Sequence, residues 1–388
     1  MTTVVVSPYN VANFPEGGGH FWVYMQYVLG LRQLGCQVYW LEQLNPGPET
    51  EQGKAALRIF SDRMDSFGLQ DSFILYSTTT DSGQIEFTGC KADQVDSIFR
   101  RADLLLNFHY AADTRILELF QRTALVDIDP GLLQFWISHG QLTVQAHDLY
   151  FTIGETVGTD RALFSNAGWP WIHTRPVVHL ESWPFTYLPE ARAFTSVSTW
   201  ETKDWIVDEK ESYENSKRVS YRQFAKLPQN TNQELELALF LTDEYDAERK
   251  WMESLGWCIR LSSEVAGNPD QYRLYIQQSR GEFSVAKPAY ISFQTAWMSD
   301  RSLCYLASGK PVVVQHTGPS AYLPDGEGMF RFSTLDQAVA AIEAINRSYL
   351  YHCKAAREIA ETHFDSKKVL QELLNRALAD GQLLQNST

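Results

Sequence analysis

SRGEFSVAKPAYISFQTAWMSDRSLCYLASGKPVVVQHTGPSAYLPDGEGMFRF, running from Ser279 to Phe332, is the most telling segment of the chain. It reads in order as a short strand (Glu282 to Ala286), a polar loop, a helix opened by Ser299-Asp300-Arg301-Ser302, a buried strand (Pro311 to Gln315) and a glycine turn at Gly318. A helix N-terminus leaves backbone N–H groups unpaired and carries the positive end of the helix dipole, so it holds a diphosphate well. Arg301 and Ser302 add a fork of donors and a hydroxyl at that point. The chain has no GxxxxGK[ST] and no clean GxGxxG, so this anion chemistry does not use a P-loop.

Outward from this block, apolar strand-like runs alternate with helical ones, which predicts parallel sheets covered on both faces. Strands are expected at Val4 to Ser7, Gln37 to Leu41, Ser72 to Tyr76, Leu104 to Phe108, Ala124 to Ile128 and Leu149 to Ile153. Helices are expected over Gly19 to Leu34 and Ala55 to Phe67. The pattern restarts at Ala193 to Val197 and continues through Leu237 to Leu241 and Trp257 to Leu261. Trp183-Pro184 to Pro189, bracketed by prolines, is the expected hinge. From Thr334 to about Leu384 the chain is rich in Ala, Glu and Leu and reads as a series of helices.

The 388 residues suffice for two to three domains, each able to bury a core. The net charge of -14, from 33 basic and 47 acidic residues, argues against nucleic acid and anionic membrane as partners. The amino terminus lacks a basic n-region and no run approaches about 18 apolar residues, so a cytoplasmic protein with no integral membrane segment is expected. The five scattered cysteines have neither zinc spacing nor a disulfide framework and read as reduced.

Several residues carry candidate chemistry. Glu16-Gly17-Gly18-Gly19-His20 follows the first strand and opens a helix, which places it at the carboxyl edge of the sheet where ligands bind. Gly18 and Gly19 let backbone approach a ligand closely, and the His20 imidazole can take a proton from a hydroxyl. The alternative is a tight turn with His20 capping the helix. Asp127 and Asp129 share one face of a strand end; Asp129 can orient or deprotonate an acceptor, or serve the Pro130-Gly131 turn. Glu155 and His109 also sit at strand ends and are candidates for the cleft or for capping. Lys217 is a weaker phosphate candidate, since a basic helix face is usually solvated. Trp200 and Trp297 adjoin cleft loops and could meet a sugar ring, whereas most other aromatics fall at core-like positions.

The helix followed by ASGKPVVV, the glycine turn and the GEG loop with Phe330 resembles the donor half of GT-B glycosyltransferases. Pro15 to Leu44 resembles the acceptor half of the same superfamily. Val126 to Trp136, Phe151 to Gly158, Trp171 to Val178 and Phe194 to Trp200 resemble segments of a bacterial GT-B subfamily. The resemblance implies two Rossmann-like domains facing across a cleft: residues 1–185 for the acceptor and 190–365 for a nucleotide-sugar donor. A C-terminal helix and tail (366–388) would cross back to the first domain.

The function this resemblance implies is transfer of a sugar from a nucleoside-diphosphate sugar, of UDP or TDP type, to a small-molecule, glycan or peptide acceptor. A nucleotide-sugar epimerase and a non-catalytic binding protein of similar fold are the alternatives. Arg280, Lys287, Ser299, Arg301 and Ser302 would bind the donor diphosphate or nucleotide. His316, Thr317 and Gly318, with Gly18 and Gly19, would line the sugar or cleft. His20, Asp129 and Glu155 are the catalytic candidates, and no metal or cofactor is expected. With ASGKP as register, Ala296 and Cys304 stand where the commonest retaining bacterial type carries two acids, and the HCGWNS motif of inverting plant-type enzymes is absent. The stereochemical course stays open.

Overall fold

The computed structural model describes residues 1–79, 83–90, 92–202, 205–207 and 212–379. Its first sheet contains β1 (Thr3–Ser7), β2 (Gln37–Gln43), β3 (Phe73–Thr78), β4 (Ile85–Gly89), β5 (Leu104–Asn107), β6 (Thr123–Asp127), β7 (Leu149–Thr152) and β8 (Trp171–His173). They lie in the order β4-β3-β2-β1-β5-β6-β7-β8. All pairings are parallel except β3 with β4, an antiparallel edge that the expectation of parallel sheets did not include.

After β9 (Phe194–Thr199) comes a small antiparallel hairpin of β10 (Trp205–Val207) and β11 (Ser212–Glu214). With β12 (Leu235–Phe240), β13 (Cys258–Leu261), β14 (Gly281–Ser284), β15 (Val312–Gln315) and β16 (Met329–Phe332), β9 forms a second, wholly parallel sheet in the order β13-β12-β9-β14-β15-β16.

The two-residue period of a strand explains how each sheet is covered on both faces. Val4 and Val6 pack with Trp40, Leu106 and the Gly18–Gln33 helix, while Val5, between them, packs with Leu41, Leu105 and Phe99 on the other side. In the second sheet Phe283 and Val313 face Tyr221, Phe224 and Ile342. Val312, Val314 and Met329 face the Asp300–Ala307 helix through Leu303, Tyr305 and Leu306.

That last layer belongs to the same apolar cluster as Val4, Trp22 and Leu31, so the two sheets share one core between them. Trp183, at the start of the proline-bracketed link, is fully buried in it, edge-on to Trp22 at 5.1 Å and to Tyr272 at 6.1 Å. Aromatic pairs of this kind contribute about 0.5–1.5 kcal/mol each beyond area burial. The Ser366–Leu378 helix lies against the Gly18–Gln33 helix, where Gly30 leaves room for the Ser366 and Leu370 side chains. The expected continuation of the last helical run to Leu384 reaches beyond the described residues.

The Asp300–Ala307 helix is bounded by local chemistry. Ser299 is extended at its N-cap, and Asp300 places an acid in the first turn, favourable to the dipole. Gly309, at φ +70°, lets the chain leave the helix, with its N–H bonded to the Leu306 carbonyl and that of Lys310 to the Tyr305 carbonyl. Pro311 then prevents continuation.

Candidate active site

In open α/β sheets a ligand crevice opens at the carboxyl ends of strands where the strand order reverses. Here the first sheet reverses between β1 and β5 and the second between β9 and β14. The two carboxyl edges face one another across a cleft of about 400 Å³. Tyr9, after β1, and Asp129, after β6, line one side; Val197 to Thr199, ending β9, and Lys287, after β14, line the other.

His20 stands on the first wall. Its Nε2 lies 2.7 Å from the Tyr9 carbonyl oxygen. A carbonyl only accepts, so Nε2 carries the proton and Nδ1 the lone pair. Burial lowers the imidazole pKa below its ordinary value, partly opposed by the Tyr9 carbonyl and the carboxylates of Asp300 and Asp129. The ring is therefore neutral at pH 7 and able to accept a proton. It does not cap its helix, whose N-cap, Gly17, has no side-chain cap.

The adjacent glycines have a packing reason. A Cβ on Gly18 would come within 2.3 Å of the Asn268 carbonyl oxygen, and one on Gly19 within 2.6 Å of the Tyr272 ring. Both line the cleft, and both are where the Gly18–Gln33 helix meets the second sheet's Pro269–Gln278 helix. Trp22 Nε1 donates to the Pro269 carbonyl at 2.9 Å in the same contact.

The opposite wall is cationic. Lys217, first residue of the Lys217–Gln223 helix, is desolvated and faces Arg301 and Lys287, so its pKa falls to about 7 despite Asp300 and Glu282. Lys287, Ser299, Asp300 and Arg301 complete this wall. Asp300 is pushed up by burial, opposed by Arg301, Lys217 and His20. Leu303 N–H makes the first helical bond, to the Ser299 carbonyl at 3.3 Å, so the N–H groups before it have no partner within the helix, and Ser299, Asp300 and Arg301 line the cleft.

Arg301 is held from behind. Its Nε donates to Glu282 Oε1 at 2.7 Å and its Nη1 to the Val197 carbonyl at 2.9 Å. Burial depresses the guanidinium pKa, and the Glu282 carboxylate more than offsets this and raises it. A cation in the first turn of a helix opposes the dipole, and the compensating charge is Glu282, fully buried on β14.

Aromatic rings close the cleft. Trp297 stacks on Tyr290 at 4.2 Å and 8°, and Phe14 meets Phe240 edge-on at 5.8 Å across it. Tyr290 also donates to Asp129 from the other half. Asp127 is a structural group: Gln134 Nε2 and Thr152 Oγ1 donate to it at 2.8 Å each, and burial pushes its pKa up to about 7. Among the described residues no group of three or more His, Cys, Asp or Glu is placed to hold a metal ion.

Other residues singled out from sequence lie elsewhere. Arg280 precedes β14 and so sits at the amino edge, opposite the cleft, where Nε bonds Asn346 at 2.7 Å and the guanidinium covers Tyr349. The Glu155 carboxylate is taken by the Ser320 hydroxyl and, at 2.7 Å, the Ala321 N–H, tying the halves together outside the cleft. Ser302 and Thr317 line a separate void of about 20 Å³ behind Ser299.

The Thr317 hydroxyl donates to the Trp297 carbonyl at 2.7 Å, and the Gly318 N–H to His316 Nδ1 at 3.2 Å. These residues brace the wall carrying Trp297 and do not themselves line the cleft. His109 packs beside Tyr9 at 4.9 Å, and Trp200 is buried with its Nε1 bonded to Glu248. Tyr24, Phe240, Tyr272 and Tyr290 were not anticipated; Phe240, an apolar residue at a strand's carboxyl end, was the signal available.

No family profile and no curated protein matches the chain. Solved structures do. An alpha-glucosyltransferase in complex with UDP superposes with a TM-score of 0.63 at 9% identity, covering 97% of this chain and 100% of that one. The fold is GT-B. Sucrose-phosphate synthase from Thermosynechococcus elongatus gives 0.55 at 13% identity, with 97% and 99% covered. The Anabaena protein HepE in complex with UDP-glucose gives 0.59 at 10%, also with 97% and 99% covered. An alpha-glucosyltransferase has also been solved with UDP and mismatched DNA. A GT-B framework thus accommodates DNA in that protein, so the fold by itself does not exclude the nucleic-acid partner that this chain's net charge argues against. No described helix here is long and apolar enough to cross a membrane.

Proposed function

We propose that this protein transfers a sugar from a nucleoside-diphosphate sugar to an acceptor hydroxyl held in the cleft. The observation that carries the reading is the pairing of His20 with a cationic wall of Lys217, Lys287 and Arg301 at the joined carboxyl edges of two Rossmann-like sheets. The fold shared with UDP- and UDP-glucose-bound proteins supports a UDP-type donor.

The donor diphosphate would lie against Lys217, Lys287 and the start of the Asp300–Ala307 helix. These groups stabilise the negative charge that grows on the leaving diphosphate as the glycosidic bond breaks. Arg301, clamped by Glu282, contributes its field from a fixed position. For an inverting course, His20 Nδ1 takes the acceptor proton. Aromatic rings such as Trp297 and Phe240 supply faces for a sugar or base. Residues 1–185 with 366–379 would form the acceptor unit and 190–365 the donor unit; the remainder of the expected tail lies outside the described residues.

The test is incubation of the purified protein with UDP- and TDP-sugars against hydroxyl acceptors, including glycans, peptides and duplex DNA, read by mass spectrometry. A glycosylated acceptor with release of nucleoside diphosphate is the predicted result. Interconversion of the sugar without an acceptor would indicate an epimerase, and tight binding without turnover a binding protein.

A further inference from the structure

A second groove, of about 280 Å³, lies on the side of the molecule where β7 and β8 meet the Ser366–Leu378 helix. Phe151 forms its apolar floor. Around it stand His173 and Arg175 from the first sheet's edge, Arg376 and Glu372 from the C-terminal helix, and Tyr322 from the loop that Glu155 ties across the two halves.

The charges are unbalanced in a chain of net charge -14. Two arginines face a single carboxylate, Glu372, within the groove lining, while burial lowers the His173 pKa and keeps that ring neutral at pH 7, with the Glu155 carboxylate opposing the shift. Arg175 reaches Glu372 through Nη2 alone, at 3.2 and 3.4 Å, which leaves the rest of its fork to spare. Its guanidinium also lies 5.9 Å from the Tyr322 ring centroid, which holds it in place. Arg376 has no hydrogen-bond or ion-pair partner among the described residues, and the Tyr322 ring, between His363 at 5.5 Å and His173 at 6.2 Å, lines the same groove.

The geometry points to a second ligand site here for a small organic anion, with a phosphate or carboxylate head between Arg175 and Arg376 and a planar body against Tyr322. Charge-assisted contacts to two guanidinium groups favour a doubly charged head, and the ring face favours a flat, weakly polar body. Because Tyr322 comes from the second half and Arg175 and Arg376 pack on the first, an occupant bridges the two halves away from the main cleft.

Phenyl phosphate is a suitable probe. Calorimetric titration of the full chain should show binding that Arg376→Ala weakens by at least about tenfold, as loss of a charge-assisted contact implies. Glu372→Gln, which frees Arg175, should tighten binding, a gain that misfolding does not produce. Lys217→Ala, in the main cleft, should leave this binding in place. Loss of phenyl phosphate binding in Lys217→Ala with no change in Arg376→Ala would overturn the proposal, because the main cleft would then be the anion site being read. Absence of binding to the wild-type chain at millimolar probe would overturn it equally.

Discussion

The Tyr290 hydroxyl donates a hydrogen bond to a carboxylate oxygen of Asp129, joining the loop after β6 to the Pro288–Phe293 helix of the other half at the edge of the cleft. Tyr110 reaches the second Asp129 oxygen at 3.4 Å, so both oxygens are engaged. This makes Asp129 a tether. Tyr290→Phe should cost about 0.5–1.5 kcal/mol in chemical denaturation, since the half-buried carboxylate loses one donor and keeps Tyr110. Asp129→Asn should keep kcat within about tenfold. A thousandfold fall with unchanged stability would make Asp129 the base.

Arg301 and Glu282 form a buried ion pair. Removing one partner of such a pair leaves a charge uncompensated and destabilises by about 3–5 kcal/mol. Glu282→Gln and Arg301→Ala should therefore both unfold at clearly lower denaturant concentration than wild type. Lys217→Ala should not, because Lys217 makes no comparable ion pair among the described residues. Equal stability of all four proteins would contradict the clamp.

His20 provides a pH signature. Burial holds its pKa below 6.5, so the neutral base accumulates as pH rises through a midpoint under that value. kcat/KM for the donor should rise there and fall again as Lys217 loses its proton around pH 7, and the rising limb should be the one His20→Ala removes. His20→Ala should lower kcat by about 10²–10⁴-fold with nucleotide affinity nearly unchanged. If the variant keeps its turnover, the base lies elsewhere.

Much of the fold was legible in the chain. Buried valine runs located β1 and β15, and Ser299-Asp300 located the helix start, because those signals are local. The side-chain partners were not local. Glu282 precedes Arg301 by 19 residues and meets it only through the packing of helix on strand. Arg280 could have been placed correctly, since a residue before a parallel strand lies at the edge away from the ligand. Lys217 was undervalued because a helix-start lysine looks solvated until the opposing sheet covers it. The glycines of the first loop read as ligand contacts, and the reason for Gly18 is a carbonyl from residue 268.

The proposed anion stabilisers are side-chain cations and a helix terminus, so turnover should survive exhaustive chelation. Asp127→Ala should act through stability, as its hydrogen bonds to Gln134 and Thr152 are internal ties. Activity lost with EDTA and restored by manganese would count against this assignment.

The central claim is that a nucleoside diphosphate binds against Lys217. The folded-state pKa of this lysine is lowered from 10.5 to about 7, and a bound diphosphate favours its charged form, so binding takes up a proton. UDP affinity should therefore fall as pH rises from 7 to 9, a change opposite in sign to that from the small remaining ionisation of the UDP terminal phosphate above pH 7. Calorimetric titration of UDP against wild type and Lys217→Met at both pH values is the direct measurement. The predicted result is binding at least about tenfold weaker in the variant at pH 7, with the wild-type pH dependence reduced. Equal affinities and equal pH slopes in the two proteins would contradict the claim.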